Sequence, residues 1–244
     1  MKNYNLKLED FDLNLLLDPI PKLIETSNYS TINELCKDVQ NFSNMAAVVG
    51  EPGYGKTVAL TKYSQNNENV FYITVKKSMS AKIFYNELLS VMGFKNNHQQ
   101  SNVYYIIDSI VYHLKELNQK SLIIIDEAGK LSHTSLLYLH DLRDSVKNTT
   151  GIVIAGPQYF ENNVLIQLKK NVEGIPELYR RITSWIRLEE PNYKEKFMLC
   201  KYSGIKNEHL INVICNNSEY KTLSDISNLL SDYRNLLNRI QSEK

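Results

Sequence analysis

The chain has 244 residues, of which 43% are apolar, and it carries a formal net charge of +1. This length and composition can bury a full hydrophobic core, and the small charge excludes a global field that would attract nucleic acid or membrane. The cysteines, Cys36, Cys200 and Cys215, form no C-x-x-C pair and are too few for a disulfide framework. We therefore expect a protein of the reducing cytoplasm, with no signal peptide and no membrane partner.

The first predicted helix is STINELCKDVQNF, with Thr31 as its N-cap and Glu34 placed to complete a capping box. The short apolar stretch AAVV, at 46–49, predicts a buried strand, and KTVALTKYSQ predicts a second helix. Between them lies the glycine-rich stretch GEPGYGKT, which fits the pattern G-x-x-x-x-G-K-[ST]. A glycine loop between a strand and a helix is the context in which this pattern binds phosphate.

The glycines of this loop allow backbone N–H groups to turn inward around phosphate oxygens, at the positive end of the new helix. In the pattern, Lys56 reaches the β- and γ-phosphates of ATP and the Thr57 hydroxyl is a ligand of Mg²⁺. The predicted nucleotide-binding residues are Gly50, Glu51, Pro52, Gly53, Tyr54, Gly55, Lys56, Thr57 and Val58.

Strands and helices alternate along the next part of the chain. Apolar or β-branched stretches predict strands at NVFYITV, SLIIID, GIVIAG and SWIRL, and amphipathic stretches between them predict helices. This alternation predicts an α/β fold, in which a parallel P-loop NTPase sheet of about five strands is covered by helices on both faces. We expect an N-terminal extension at 1–29, the ATPase core at 30–190 and a small all-helical lid at 191–244.

The lid is predicted to end in a helix with one apolar stripe. Its members are Leu223, Ile226, Leu230, Tyr233, Leu237 and Ile240.

A pair of acids, Asp126 and Glu127, follows the most apolar predicted strand in LIIIDEAGK. Ligands of open α/β sheets bind at the carboxyl ends of the strands, where these acids lie. Asp126 is predicted to hold Mg²⁺, directly or through water. Glu127 is predicted to orient and deprotonate a water that attacks the γ-phosphate, which favours a hydrolase over a kinase.

The two motifs and the helical tail resemble the AAA+ ATPases. More closely, LIETSNYSTINEL, MAAVVGEPGYGKTVAL, LIIIDEAGKLS, LLYLHDLRDSVKNTTGIVIAG and LYRRITSWIRL resemble the DNA-transposition helper ATPases, the group of the phage Mu B protein. The likeness covers residues 23 to about 190 well and the lid loosely. It implies an ATPase that assembles on double-stranded DNA as a ring or helical filament and recruits a transposase. The Mu B protein carries a DNA-binding segment ahead of its ATPase domain, and we expect the roughly 45 residues before this P-loop to leave no room for a comparable domain.

The resemblance also implies three further catalytic positions. An arginine finger, which acts on the nucleotide of a neighbouring subunit, corresponds to Arg180 or Arg181. The polar sensor after the fourth strand corresponds to Gln158, which comes one residue later than usual, behind Pro157. The arginine sensor of the lid is replaced by Lys221, which lacks the bidentate fork of arginine. These departures predict slow hydrolysis, and we expect assembly or DNA to stimulate it.

The predicted DNA contacts are Lys76, Lys77 and Lys82, in the stretch VKKSMSAK after the second strand. Lys169 and Lys170 form a second, smaller basic pair. Two other functions remain open on the sequence. The same core could act on a protein partner, as in secretion or initiator ATPases, or it could be an ATP-gated interaction module with little hydrolysis.

Overall fold

A computed structural model of the protein describes residues 10–12, 23–94 and 102–242, with side chains as far as Asn235 in the last helix. Within these ranges one sheet has five parallel strands in the order β2–β3–β4–β1–β5. They are β1 (Met45–Val49), β2 (Val70–Thr74), β3 (Ser121–Asp126), β4 (Thr150–Gly156) and β5 (Ser184–Arg187). The predicted P-loop NTPase sheet is therefore confirmed, with its strands where the apolar stretches placed them.

The strands alternate with helices, as predicted. These are α1 (Ser27–Phe42), α2 (Lys56–Asn66), α3 (Ala81–Val91), α4 (Val103–Glu116), α5 (His133–Ser145), α6 (Gln158–Lys169), α7 (Ile175–Arg181), α8 (Tyr193–Tyr202), α9 (Glu208–Asn216) and α10 (Leu223–Ser242). A short 3₁₀ helix at Ala128–Lys130 follows β3.

Every residue of β1, β3 and β4 is buried, because these strands are central in the sheet and helices cover both faces. The edge strands β2 and β5 are only partly buried. The parallel arrangement brings the carboxyl ends of the strands to one edge of the sheet. That edge carries the glycine loop after β1 and the acid pair after β3.

The chain divides into two compact units. The sheet unit comprises Thr31–Glu51 and Lys56–Leu188. The helical unit comprises the described parts of Met1–Ser30, together with Pro52–Gly55 and Glu189–Lys244. The predicted boundaries at residues 29 and 190 stay a prediction.

The helical unit has a core of its own, to which α8, α9 and α10 contribute Cys200, Ile211 and Ile226. Phe11, from the short described segment before α1, packs into this core and forms an antiparallel bridge with Ile205. Of the predicted stripe of α10, Ile226, Leu230 and Tyr233 are buried and Leu223 is partly buried. Leu237 and Ile240 lie outside the described side chains.

The prediction that Thr31 caps α1 is wrong, because the helix begins at Ser27 and Thr31 lies in its second turn. The Thr26 hydroxyl accepts the Tyr29 N–H at 3.1 Å and takes the capping role one turn earlier. The Ser27 N–H, at the new helix start, donates to Glu195 Oε1 at 2.6 Å. A tertiary partner for the first turn therefore extends the helix beyond the sequence signal.

Candidate nucleotide-binding site

The glycine loop occupies residues 50–55, between the last residue of β1 and the first of α2. Gly53 and Gly55 have φ angles of 86° and 88°, in the region that only glycine adopts without strain. Glu51, Pro52 and Val58 are exposed. The loop therefore has the backbone conformation that a phosphate cradle requires, at the amino end of a helix.

Lys56 is buried and folds back on the loop. Its Nζ donates to the carbonyl oxygen of Gly50 at 2.6 Å and to that of Glu51 at 3.0 Å. Burial lowers the pKa of Lys56, and the negative charges of Asp126, Glu127 and Glu51 oppose that shift. An ammonium group has three donors, so one remains for a phosphate oxygen.

Thr57 and Asp126 are in direct contact, as a P-loop metal site requires. Thr57 Oγ1 donates to Asp126 Oδ2 at 2.7 Å, and Asp126 Oδ1 accepts the Glu127 N–H at 2.8 Å. Both side chains offer hard oxygen atoms, the ligands that Mg²⁺ prefers, and nucleotide phosphates normally complete its shell. The described residues contain no group of three or more His, Cys, Asp or Glu side chains that could hold a metal by themselves. The pair therefore fits a magnesium ion held jointly with a nucleotide.

Glu127 has a left-handed backbone, with φ 61° and ψ 35°, and precedes the 3₁₀ helix. That helix brings Lys130 Nζ to 3.0 Å from Glu127 Oε2, and both side chains are about two-fifths exposed. The candidate base is therefore paired through one oxygen and exposed to solvent. Lys130 was not among the predicted site residues, although its i,i+3 spacing from Glu127 was a local signal for the pair.

Tyr72 is a further polar neighbour that the sequence analysis missed. Its hydroxyl donates to Asp126 Oδ2 at 2.9 Å and accepts from Thr74 Oγ1 at 3.3 Å. Burial raises the pKa of Tyr72. Residues two apart in a strand have side chains on the same face, so the predicted strand already placed Tyr72 and Thr74 on one face. The pairing of Thr74 with Asp126 across β2 and β3 is what places both beside the acid.

Gln158 is the first residue of α6, directly after β4 and Pro157. Its Nε2 donates to Glu161 Oε2 at 2.9 Å, and the same oxygen accepts from Arg187 Nε at 2.9 Å. Glu161 is buried, so these donors compensate its charge. The structure thus places Gln158 after β4, as predicted, but bonds it to a carboxylate of its own helix.

The two candidate finger arginines differ in their surroundings. Arg181 makes a bidentate ion pair with Asp144, in which Nε donates to Oδ1 at 2.8 Å. This pairing raises the pKa of Arg181 and lowers that of Asp144. Arg180 is exposed and makes no side-chain hydrogen bond or ion pair within the described part of the chain.

In the helical unit, the tip of the loop meets the start of α10. A β-carbon at Gly53 would collide with the Thr222 side chain, so only glycine allows this approach. Thr222 caps α10 reciprocally with Asp225, since each side chain accepts the other's N–H. Lys221, just before the cap, is exposed. The hydrogen bond from Lys196 lowers the pKa of Glu190, and the charge of Lys221 adds a smaller effect in the same direction.

A second contact of the loop in this unit involves Asn28, which is buried. Its amide Nδ2 donates to the carbonyl oxygens of Glu189 at 2.8 Å and Tyr54 at 3.3 Å. The Glu189 N–H donates back to Asn28 Oδ1. No sequence pattern indicated this role for Asn28.

The predicted DNA contacts Lys76, Lys77 and Lys82 are all exposed. They flank Ser80, whose side chain caps α3 by accepting the Ile83 N–H. The lysines therefore cluster where β2 ends and α3 begins, at the same edge of the sheet as Asp126.

Comparison with known proteins supports this arrangement. A family model described as AAA domain matches residues 23–164, more than half of the chain, which therefore belongs to that family. Two curated relatives are 27% identical over 157 residues, namely the ATP-dependent target DNA activators B of Escherichia phages D108 and Mu. The match covers 64% of this chain and 49% of each relative, so the chain spans about half of their length.

Solved structures show the same fold at low sequence identity. The Aeropyrum pernix ORC2 protein has a TM-score of 0.68 at 14% identity, covering 96% of this chain and 68% of that one. Domain III of the Thermotoga maritima replication initiation protein DnaA has a TM-score of 0.57 at 16% identity, covering 96% and 92%. No described helix is long and apolar enough to span a bilayer.

Proposed function

We propose that the protein is an AAA+ ATPase that hydrolyses ATP with Mg²⁺, assembles on double-stranded DNA and assists a transposase. The observation that carries the ATPase part is the 2.7 Å hydrogen bond between Thr57 and Asp126, with Glu127 next in sequence. Polar residues that merely lie at the ends of strands would not be expected to form a hydrogen bond between the P-loop hydroxyl of Thr57 and the strand acid Asp126. The DNA part is supported by the similarity to target DNA activators and by the exposed lysines.

In the proposed reaction, the loop amides and the third donor of Lys56 hold the phosphates. Thr57 and Asp126 would hold Mg²⁺, which would supply positive charge to neutralise the phosphates. Glu127 pairs with Lys130 through Oε2, so its Oε1 is available to accept a proton from the attacking water. Subunits assemble so that Arg180 of one copy faces the γ-phosphate bound by another.

DNA binding is proposed to depend on assembly. A single copy with a net charge of +1 has little attraction for DNA. Many copies on one duplex each present Lys76, Lys77 and Lys82 to the backbone, and each raises the effective concentration of the next. Binding should then be cooperative, dependent on ATP and nearly independent of DNA sequence.

The test is a salt titration of DNA binding by fluorescence anisotropy, with ATP and without nucleotide. A variant with Lys76→Ala and Lys77→Ala should bind all sequences more weakly, with a log–log salt slope flatter by about 2 per subunit. Lys169→Ala with Lys170→Ala is the matched control, because it removes the same charge from another exposed pair.

Two results would contradict the proposal. If ATP made no difference at any salt concentration, DNA would not be the partner, and an ATPase that acts on a protein partner would replace it. If the Lys169 and Lys170 variant lost affinity while the Lys76 and Lys77 variant did not, the DNA surface would be assigned to the wrong basic cluster.

A further inference from the structure

The Asp126 carboxylate accepts three hydrogen bonds, and one of them comes from outside the two sequence motifs. The Glu127 N–H donates to Oδ1, while Thr57 Oγ1 and the Tyr72 hydroxyl both donate to Oδ2. The terminal torsion of an aspartate is broad, so the carboxylate takes a defined orientation only when such donors fix it. Tyr72 supplies the second donor on the oxygen that also contacts Thr57.

The strand register explains why a tyrosine reaches this place. Thr74 lies opposite Asp126 and Tyr72 opposite Ile124, so both β2 side chains share a face of the sheet with the acid. Thr57 and Thr61 lie one turn apart on α2, and the Thr61 side chain also hydrogen-bonds Tyr72. Tyr72 is half-buried between this helix and the sheet. The phenol ring is long enough for the hydroxyl of Tyr72, on β2, to reach Asp126 at the end of β3.

We propose that Tyr72 is a positioning residue of the magnesium site, which orients Asp126 so that its carboxylate stays beside Thr57. The inference rests on the proposed ATPase function. Thr57 Oγ1 donates its proton to Asp126, which leaves the lone pairs of the hydroxyl for a cation. Without the Tyr72 hydroxyl, the carboxylate keeps only Thr57 on Oδ2 and can rotate away from this arrangement. Outer partners of metal-binding groups typically contribute 10–100-fold to metal affinity.

The variant Tyr72→Phe tests this because it keeps the ring and removes only the hydroxyl. Affinity for N-methylanthraniloyl-ATP should be unchanged in EDTA. The Mg²⁺ concentration that gives half of the Mg²⁺-dependent gain in affinity should rise about tenfold, the lower end for outer partners, because phosphates also hold the ion.

Tyr63→Phe is the matched control. The Tyr63 hydroxyl is also hydrogen-bonded, to Gln40 Oε1 at 2.9 Å, but it does not contact Asp126. It should show the wild-type Mg²⁺ titration, so that any change specific to Tyr72 reports on the metal site and not on loss of a buried phenol.

Two outcomes would overturn the role of Tyr72: a Mg²⁺ titration of Tyr72→Phe that superimposes on the wild type, or equal losses of affinity in EDTA and in Mg²⁺. The second would show a structural effect alone. A parallel measurement on Lys56→Ala separates these from failure of the proposed function. If that variant bound the nucleotide like the wild type, the site itself would be wrong and the Tyr72 proposal would fall with it.

Discussion

At the carboxyl ends of β1 and β3, two of the predicted site residues are bonded to each other. Between β4 and β5, the predicted site residues that are bonded have partners that were not predicted as site residues. Thr57 joins Asp126 directly. In the other region, Gln158 is bonded to Glu161 and Arg181 to Asp144. The candidate metal-binding residues of the first region are thus brought together within one chain. In the second, the carboxylates of Glu161 and Asp144 are compensated locally. Arg180 is exposed, and we propose that it acts on a neighbouring copy.

The sharpest test of this difference compares the two adjacent arginines. Arg180→Ala should lower the turnover of the assembled protein about 10³-fold, the lower end for an arginine finger. Arg181→Ala should leave turnover near the wild type. Because Arg181 and Asp144 are both partly exposed, loss of their pair should lower the free energy of unfolding by less than about 1 kcal/mol. Steady-state hydrolysis and urea unfolding measure the two effects.

Mixing Arg180→Ala with a Glu127→Gln variant should restore part of the activity, since a mixed interface can pair an intact base with an intact arginine. An inactive Arg181→Ala beside an active Arg180→Ala would assign the finger to Arg181. The structural ion pair with Asp144 would then have to break on assembly.

The next effect concerns the base in the organised region. Glu127→Gln keeps the size of the side chain but cannot accept the water's proton, so hydrolysis should fall about 10²-fold or more. Affinity for ATP and Mg²⁺ should be retained, because Thr57 and Asp126 are untouched. Single-turnover hydrolysis and nucleotide titration separate the two. Glu116→Gln, an exposed residue in the last turn of α4, is the control, and wild-type hydrolysis by Glu127→Gln would remove Glu127 from the chemistry.

The same two regions show what the sequence could and could not predict. The strands and the P-loop were predictable because they depend on local features: apolar stretches of strand length, and glycines at fixed spacing before Lys56 and Thr57. The contact between Thr57 and Asp126 followed, since parallel strands bring their carboxyl ends to one edge. The ion pair of Arg181 with Asp144 was not predictable, because it depends on how two helices pack against each other. The bond from Gln158 to Glu161 lies within one helix at i,i+3 spacing, and that spacing was a local signal for it.

Tyr72 and Ser27 show the same limit in two other places. The bond from Tyr72 to Asp126 needs the pairing register of β2 with β3, which strand propensity does not specify. The early start of α1 at Ser27 depends on Glu195, far along the chain. In both cases a non-local hydrogen bond determines the feature. For Tyr72 the local sequence gave no indication, and for α1 it favoured Thr31 as the start.

The central claim, that residues 50–57 bind the phosphates of ATP, is tested most directly by titrating wild type and Lys56→Ala with ATP and Mg²⁺ in a calorimeter. Hydrogen bonds to charged groups contribute about 1.5–3 kcal/mol, so the variant should lose about 10–100-fold in affinity while its far-ultraviolet circular dichroism is unchanged. Lys62→Ala, an exposed lysine on the same helix, should bind like the wild type. Equal ATP affinity for wild type and Lys56→Ala would contradict the account.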